Sequence, residues 1–380
     1  MTRRELLRSG KWAAVLVAVE PVRKSRDGRT GREVWQITSG DSISHSCYFE
    51  AQPFTGDDRY LVYSSKRSGA YQLYRVDLQS QEHRQLTRCE DLANLSFSIH
   101  PDGKNVVYLD GARLTKTEVA SGRTSVIVDL EREPALPPDK GPARFSAGRS
   151  FSADGQYTAV GYSGSPGGIA LLNLRTGRIE KTVSAPDGTG GHMLICPADP
   201  YLITYVKVPD RQNDMSLPMD QRARTMIADL RTGKLRPYLT MPYGWRATHE
   251  YWDAKGERFY FHKKKVPGWV PASICSIKRD GSDWQTHFTS ETYMLGHSMI
   301  SSDGRFIVSD VQKPNDNPLI LIDLREGRHE VLCWPDSSVT EGHPKQAHVH
   351  PAISRSGRYV AYTSDRTGTA QVYVVPLGGH

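Results

Sequence analysis

A short turn followed by an apolar strand recurs about every fifty residues, and that period limits the fold more than any other feature of the chain. The turns are Asp57-Asp58, Asp102-Gly103, Asp154-Gly155, Asp199-Pro200, Lys255-Gly256, Asp303-Gly304 and Ser356-Gly357. In the first copy, Leu61-Val62-Tyr63-Ser64 leads through a charged Gly turn to Tyr71-Gln72-Leu73-Tyr74-Arg75-Val76-Asp77-Leu78 and on to Gln85-Leu86-Thr87. Each run alternates or is β-branched and aromatic, and each is bounded by Gly, Asp or Ser, which reads as strand, turn, strand, turn, strand. Second turns echo one another as well, in Asn173-Leu174-Arg175-Thr176-Gly177, Asp229-Leu230-Arg231-Thr232-Gly233 and Asp323-Leu324-Arg325-Glu326-Gly327.

Short strands at this spacing, with almost no helical periodicity, predict an all-β chain folded as a seven-bladed β-propeller of four-stranded blades. The last copy, Tyr359-Val360-Ala361-Tyr362 and then Gln371-Val372-Tyr373-Val374-Val375, runs out before a fourth strand. Val34-Trp35-Gln36-Ile37-Thr38 resembles an outer strand with no blade before it. The N-terminal strand is therefore expected to complete the last blade and close the ring, which removes exposed sheet edges. Residues 30–380 read as one domain and residues 1–29 as an N-terminal extension.

Charge and composition narrow the function classes. Lys and Arg number 49 against 42 Asp and Glu, a net of +7, which hints at an anionic partner. No stretch approaches the ~18 apolar residues of a spanning helix, so no integral membrane segment is expected. No basic run is interleaved with aromatics, which argues against nucleic acid. Five scattered cysteines (Cys47, Cys89, Cys196, Cys275, Cys333) form no CxxC pair and read as buried thiols in a reducing compartment, so a cytoplasmic location is expected. Arg3-Arg4-Glu5-Leu6-Leu7 and the apolar run over 12–19 resemble a twin-arginine export signal, leaving a periplasmic location as the alternative.

The histidines carry the functional signal through their phase. His249, His297 and His350 each lie seven residues before the Gly of a turn, His192 lies eight before Pro200, and His45 stands upstream of Asp58. The strand before each turn is the innermost of its blade, so these side chains fall at nearly one height near one end of the channel. His348 and His350 share a strand face. An imidazole cluster in a polar channel is a ready site for a borderline divalent metal, and open positions suit a catalytic ion. His83, His100, His262, His287 and His329 lie in other phases and read as structural or surface residues.

Thr248-His249-Glu250-Tyr251-Trp252, Gly296-His297-Ser298-Met299 and His348-Val349-His350-Pro351 stand in an order that resembles the oligogalacturonate lyase family. Gly191-His192, Ala223-Arg224 and His45-Ser46-Cys47-Tyr48-Phe49 add to the resemblance, which runs from about residue 30 to the end. These lyases are seven-bladed propellers that cleave short pectin fragments by β-elimination. The resemblance implies that His297, His348 and His350 hold a divalent metal, Mn²⁺ before others, together with a glutamine. At the family's glutamine position this chain has Lys345, and Gln346 is one place off, so either Gln346 ligates or the fourth ligand differs. It further implies His249 as the base and Arg224 as its neighbouring arginine, acting on an anionic uronate oligosaccharide.

The chemistry is consistent with those residue types. A uronate C5 proton is weakly acidic beside an ionised carboxylate, so a base and a cationic clamp are needed. A neutral imidazole is a workable base near neutral pH, and Arg clamps a carboxylate in a bidentate way that Lys does not. His192, His45, Arg149 and Trp252 are candidates for substrate contacts, and Glu250 is expected to orient a histidine. Trp245, Trp252 and Trp269 can stack on sugars or pack between blades. Selectivity can reside in the inserts over 136–144 and 211–222. The alternatives are a non-catalytic TolB-like propeller that binds protein or peptide, since blade similarity alone does not separate the two, and a hydrolase or isomerase on the same fold.

Overall fold

A computed structural model describes residues 21–136, 145–163, 167–185, 192–340 and 347–378. The twin-arginine-like segment, most of the 136–144 insert, Gly191, Lys345 and Gln346 lie outside them. The described residues form seven antiparallel sheets, with two short 3-10 turns at Leu130–Arg132 and Met219–Arg222. Six sheets hold four strands in sequence order, and the seventh joins the two ends of the chain. The expected seven-bladed propeller is the observed one.

The turns explain the period. Between the first and second strands of five blades, Gly103, Gly155, Gly256, Gly304 and Gly357 sit at φ of 65–76°, where a Cβ is unfavourable. Asp58 takes the same left-handed place at φ 57° in the first blade. The preceding aspartates hold these turns: Asp102 Oδ1 accepts from the Lys104 amide at 2.8 Å, and Asp154 Oδ1 from that of Gln156 at 2.9 Å. Blade 4 departs from the expectation. Proline fixes φ negative, so the chain does not turn at Asp199-Pro200 but at Pro197-Ala198, with Cys196 paired to Asp199.

Side chains from both faces of each blade bury against its neighbours. Tyr238 of blade 4 meets Phe259 and Trp252 of blade 5 at 5.2 Å and 6.0 Å between ring centroids. Each such aromatic pair adds roughly 0.5–1.5 kcal/mol beyond the area it buries. The fourth strands face water: Arg178–Ser184 is largely exposed, whereas Gly168–Asn173 beside it is buried throughout. All five cysteines are free and buried.

Ring closure follows the sequence expectation. Glu33–Gln36 pairs with Gln371–Pro376 through Trp35↔Val374 and Gln36↔Tyr373, and the Thr38 hydroxyl donates to Gln371 Oε1 at 2.6 Å. Arg23–Arg26 then adds a fifth, fully exposed strand outside the four-stranded plan. The inner strands all run toward the turns, so their beginnings gather at the opposite mouth of the channel. That mouth is where the histidines stand.

Candidate metal centre

Three histidines converge there. One ligand atom each of His297, His348 and His350 lies within 4.8 Å of the others. Ring centroids are 4.3 Å apart for His297 and His350, and 5.4 Å for His297 and His348. His249 stands against the same group, 4.2 Å from His297. Backbone irregularity delivers them. The strand register slips between Leu295 and Ser298 and between Thr248 and Tyr251, so His297 and His249 each sit in a bulge that re-aims the side chain. His192, His249 and His350 adopt φ of 52°, 54° and 43°, a left-handed conformation that non-glycine residues rarely hold.

A carboxylate absent from the sequence reading fixes His297. Asp310 is buried at the end of Phe306–Val311, where its Oδ2 accepts from His297 Nδ1 at 3.0 Å and its Oδ1 from the His297 amide. That bond selects the tautomer and leaves Nε2 as the ligand nitrogen. The only space for the carboxylate is over Gly296: a Cβ there would lie 2.0 Å from Asp310 Oδ1. Burial, reinforced by neighbouring cationic or imidazole groups, pushes the pKa values of His249, His297 and His350 well below 6.5, so all three are neutral. Neutral imidazole is the ligating form. His350 Nε2 is buried with no hydrogen-bond partner, as is His249 Nδ1. An orphaned imidazole nitrogen facing two others fits a divalent ion that accepts nitrogen donors.

The wall beside His249 is strongly charged. Arg224, with a side chain only 12% exposed, donates to Glu250, and its Nε lies 3.6 Å from Asp210 Oδ2. Arg246 pairs with the same Asp210. The sequence reading expected Glu250 to orient a histidine; in the structure it bonds Arg224 instead, and Thr225 Oγ1 donates to the same oxygen at 2.7 Å. Burial works to raise the Glu250 carboxyl, but the charge and hydrogen bond of Arg224 override it and bring the pKa down to about 2. Lys264 is 1% exposed and donates to Gln312 Oε1 at 3.4 Å; burial pulls its pKa down to about 7, with Asp310 opposing. His262, placed outside the functional phase by its position in the repeat, packs 5.8 Å from His249 and bonds Ser298 Oγ at 2.7 Å.

Across the mouth, Tyr48 and His192 are joined at 3.3 Å, and Arg149 lies 3.3 Å from the buried Glu50. His45 is buried one blade away, against Tyr71 at 6.0 Å and beside Asn94. Trp252 lies in the packing between blades 4 and 5. Asp310, Lys264 and Glu50 carry no motif, and Tyr48 entered the sequence reading only as a neighbour within His45-Ser46-Cys47-Tyr48-Phe49. The one sequence signal was an acidic residue in the buried, mostly apolar strand Phe306–Val311.

These features define a propeller with a three-histidine cluster that could hold a metal ion at one mouth of its channel. No protein-family model matches the chain. It is 22% identical to an oligogalacturonate lyase of Dickeya dadantii (strain 3937), covering 93% of this chain and 95% of that one. Identity to an oligogalacturonide lyase of Pectobacterium atrosepticum is 21% over the same shares. Its fold matches that of an oligogalacturonate lyase in complex with manganese, with a TM-score of 0.78 at 19% identity, covering 94% of this chain and 97% of the other. An oligogalacturonate lyase of Vibrio parahaemolyticus matches with a TM-score of 0.77 at 19% identity, covering 94% and 98%. The resemblance carried by the histidine motifs thus extends along nearly the whole chain.

Proposed function

We propose that the protein is a metal-dependent lyase that cleaves short oligogalacturonides by β-elimination and leaves a 4,5-unsaturated uronate end. The observation that carries this reading is the His297–His348–His350 cluster, with His249 against it, in a propeller like that of a lyase bound to manganese. In this reading those three histidines hold Mn²⁺, and the fourth ligand, Gln346 or another group, lies outside the described residues. When bound, the ion supplies positive charge to the uronate carboxylate and to the enolate that forms from it. His249 takes the C5 proton, since its ring is neutral and at the cluster's edge. Arg224, steadied by Glu250 and Asp210, clamps a substrate carboxylate. Arg149, His192 and His45 meet the neighbouring sugar. A binding scaffold of the TolB type has no use for four imidazoles packed edge to edge. Five free, buried thiols favour the cytoplasm.

Mixing the protein with trigalacturonate should raise the ultraviolet absorbance of a 4,5-unsaturated uronate; EDTA should abolish the rise and Mn²⁺ restore it. Mass spectrometry covers any rearrangement to a non-absorbing keto form. Intact substrate together with metal bound at the histidines would move the substrate to another uronate, and intact substrate with no bound metal would sink the lyase reading.

Gly296→Ala tests the role of Asp310. The added methyl collides with the carboxylate that orients His297, so manganese affinity measured by calorimetry should weaken about 10–100-fold, the usual effect of losing such an outer partner. An unchanged affinity would show that Asp310 does not orient the ligand.

A further inference from the structure

Elimination from a galacturonate needs two proton-handling groups. The C5 hydrogen and the C4 oxygen lie on opposite faces of the ring, so the base that takes one proton does not protonate the departing oxygen. His249 is the base of the proposed lyase, and nothing so far supplies the acid.

A phenol also borders the cluster. The Tyr48 ring is 4.7 Å from that of His350 and 6.3 Å from that of His297, while His249 approaches His297 itself at 4.2 Å, so phenol and base lie nearest different members of the cluster. Tyr48 Oη bonds His192 Nε2 at 3.3 Å. His192 Nδ1 in turn stands 3.5 Å from Glu50 Oε2, an ion-pair rather than a hydrogen-bond distance. The Glu50 side chain is 1% exposed, neither of its oxygens has a hydrogen-bond partner, and among the described residues it pairs with Arg149 and His192. The Arg149 guanidinium also covers the Tyr48 ring at 5.1 Å. His192 holds this place with a left-handed backbone. Structural packing alone gives no reason for a buried, hydrogen-bond-deprived carboxylate behind a strained histidine.

Resting on the lyase reading, we propose that Tyr48 is the general acid that protonates the departing glycosidic oxygen, with His192 and Glu50 as the positioning pair that returns its proton. His249 takes the C5 proton, the C–H electron pair passes to the uronate carboxylate as an enolate, and collapse of that enolate forms the C4=C5 double bond. The C4–O bond breaks with its electron pair on oxygen, which takes the Tyr48 proton. The phenolate is reprotonated through His192 from solvent while His249 releases its proton, so no co-reactant is consumed.

The test uses Tyr48→Phe in the manganese-loaded protein with trigalacturonate in D₂O. Cleavage should fall about 100-fold or more. Manganese binding should persist, and uncleaved substrate should recover with deuterium at C5, because proton removal outlives loss of the acid. His192→Ala should show the same split, with a loss of about 10-fold. Cleavage near the wild-type rate overturns the assignment, as does a loss of cleavage without deuterium uptake. A wild-type protein that cleaves no oligogalacturonide overturns the lyase reading, and the acid falls with it.

Discussion

His249→Ala should lower kcat on trigalacturonate by about 10²–10⁴-fold, the range for removing a positioned base, and leave manganese bound. The ring lies 4.2 Å from His297 without belonging to the three-nitrogen set, so its loss removes the proton acceptor but not a ligand. The pH profile carries a second signature. Desolvation, then the imidazole of His297 and the charge of Lys264, lower the His249 pKa well below 6.5. The active form is the neutral one, so activity persists as pH falls through 6.5 and is lost only below the shifted value. An acid limb centred near 6.5 or above would place the base elsewhere, as would a His249→Ala protein of undiminished rate.

His297→Ala and His350→Ala should both abolish manganese binding and manganese-dependent cleavage, yet differ sharply in stability. His350 Nε2 has no protein partner, so its loss breaks no hydrogen bond at that atom. His297 is the partner of a fully buried Asp310. Removing the ring leaves Asp310 Oδ2 without its donor, while the amide of residue 297 still bonds Oδ1, and an unsatisfied buried acceptor of this kind costs about 1–3 kcal/mol. Thermal unfolding of the metal-free proteins should therefore show His297→Ala well below wild type. Equal unfolding temperatures would mean that Asp310 is satisfied by something other than His297, and tight manganese binding by either variant would remove it from the ligand set.

The architecture was legible because a propeller repeats its own punctuation. Five Gly turns and one Asp turn share a backbone conformation that few residues tolerate, and the period could be counted from them. It misled only at Asp199-Pro200, where the proline took the turn's place in the sequence but not in the chain. The histidines were legible for the same reason: the repeat converts spacing into height along a channel. What the repeat does not encode is which strand faces which across a blade boundary. Asp310, Lys264 and His262 sit on second strands, outside the phase that marks the channel, and reach the site sideways. Tyr48 and Glu50 follow a two-residue inner strand, where the chain leaves the repeat altogether. Glu250 was placed at the site correctly, yet its partner was not apparent, because Arg224 comes to it from the preceding blade.

The left-handed histidines carry a consequence for how this site persists. His192, His249 and His350 each occupy a conformation that costs of order 1–3 kcal/mol in a residue with a side chain. Glycine at any of the three would relax the backbone and discard the imidazole. The ring would then be more robust without its chemistry, so random change screened for folding alone drifts toward an inert propeller. In the proposed lyase, turnover is what these three imidazoles supply in return for that strain.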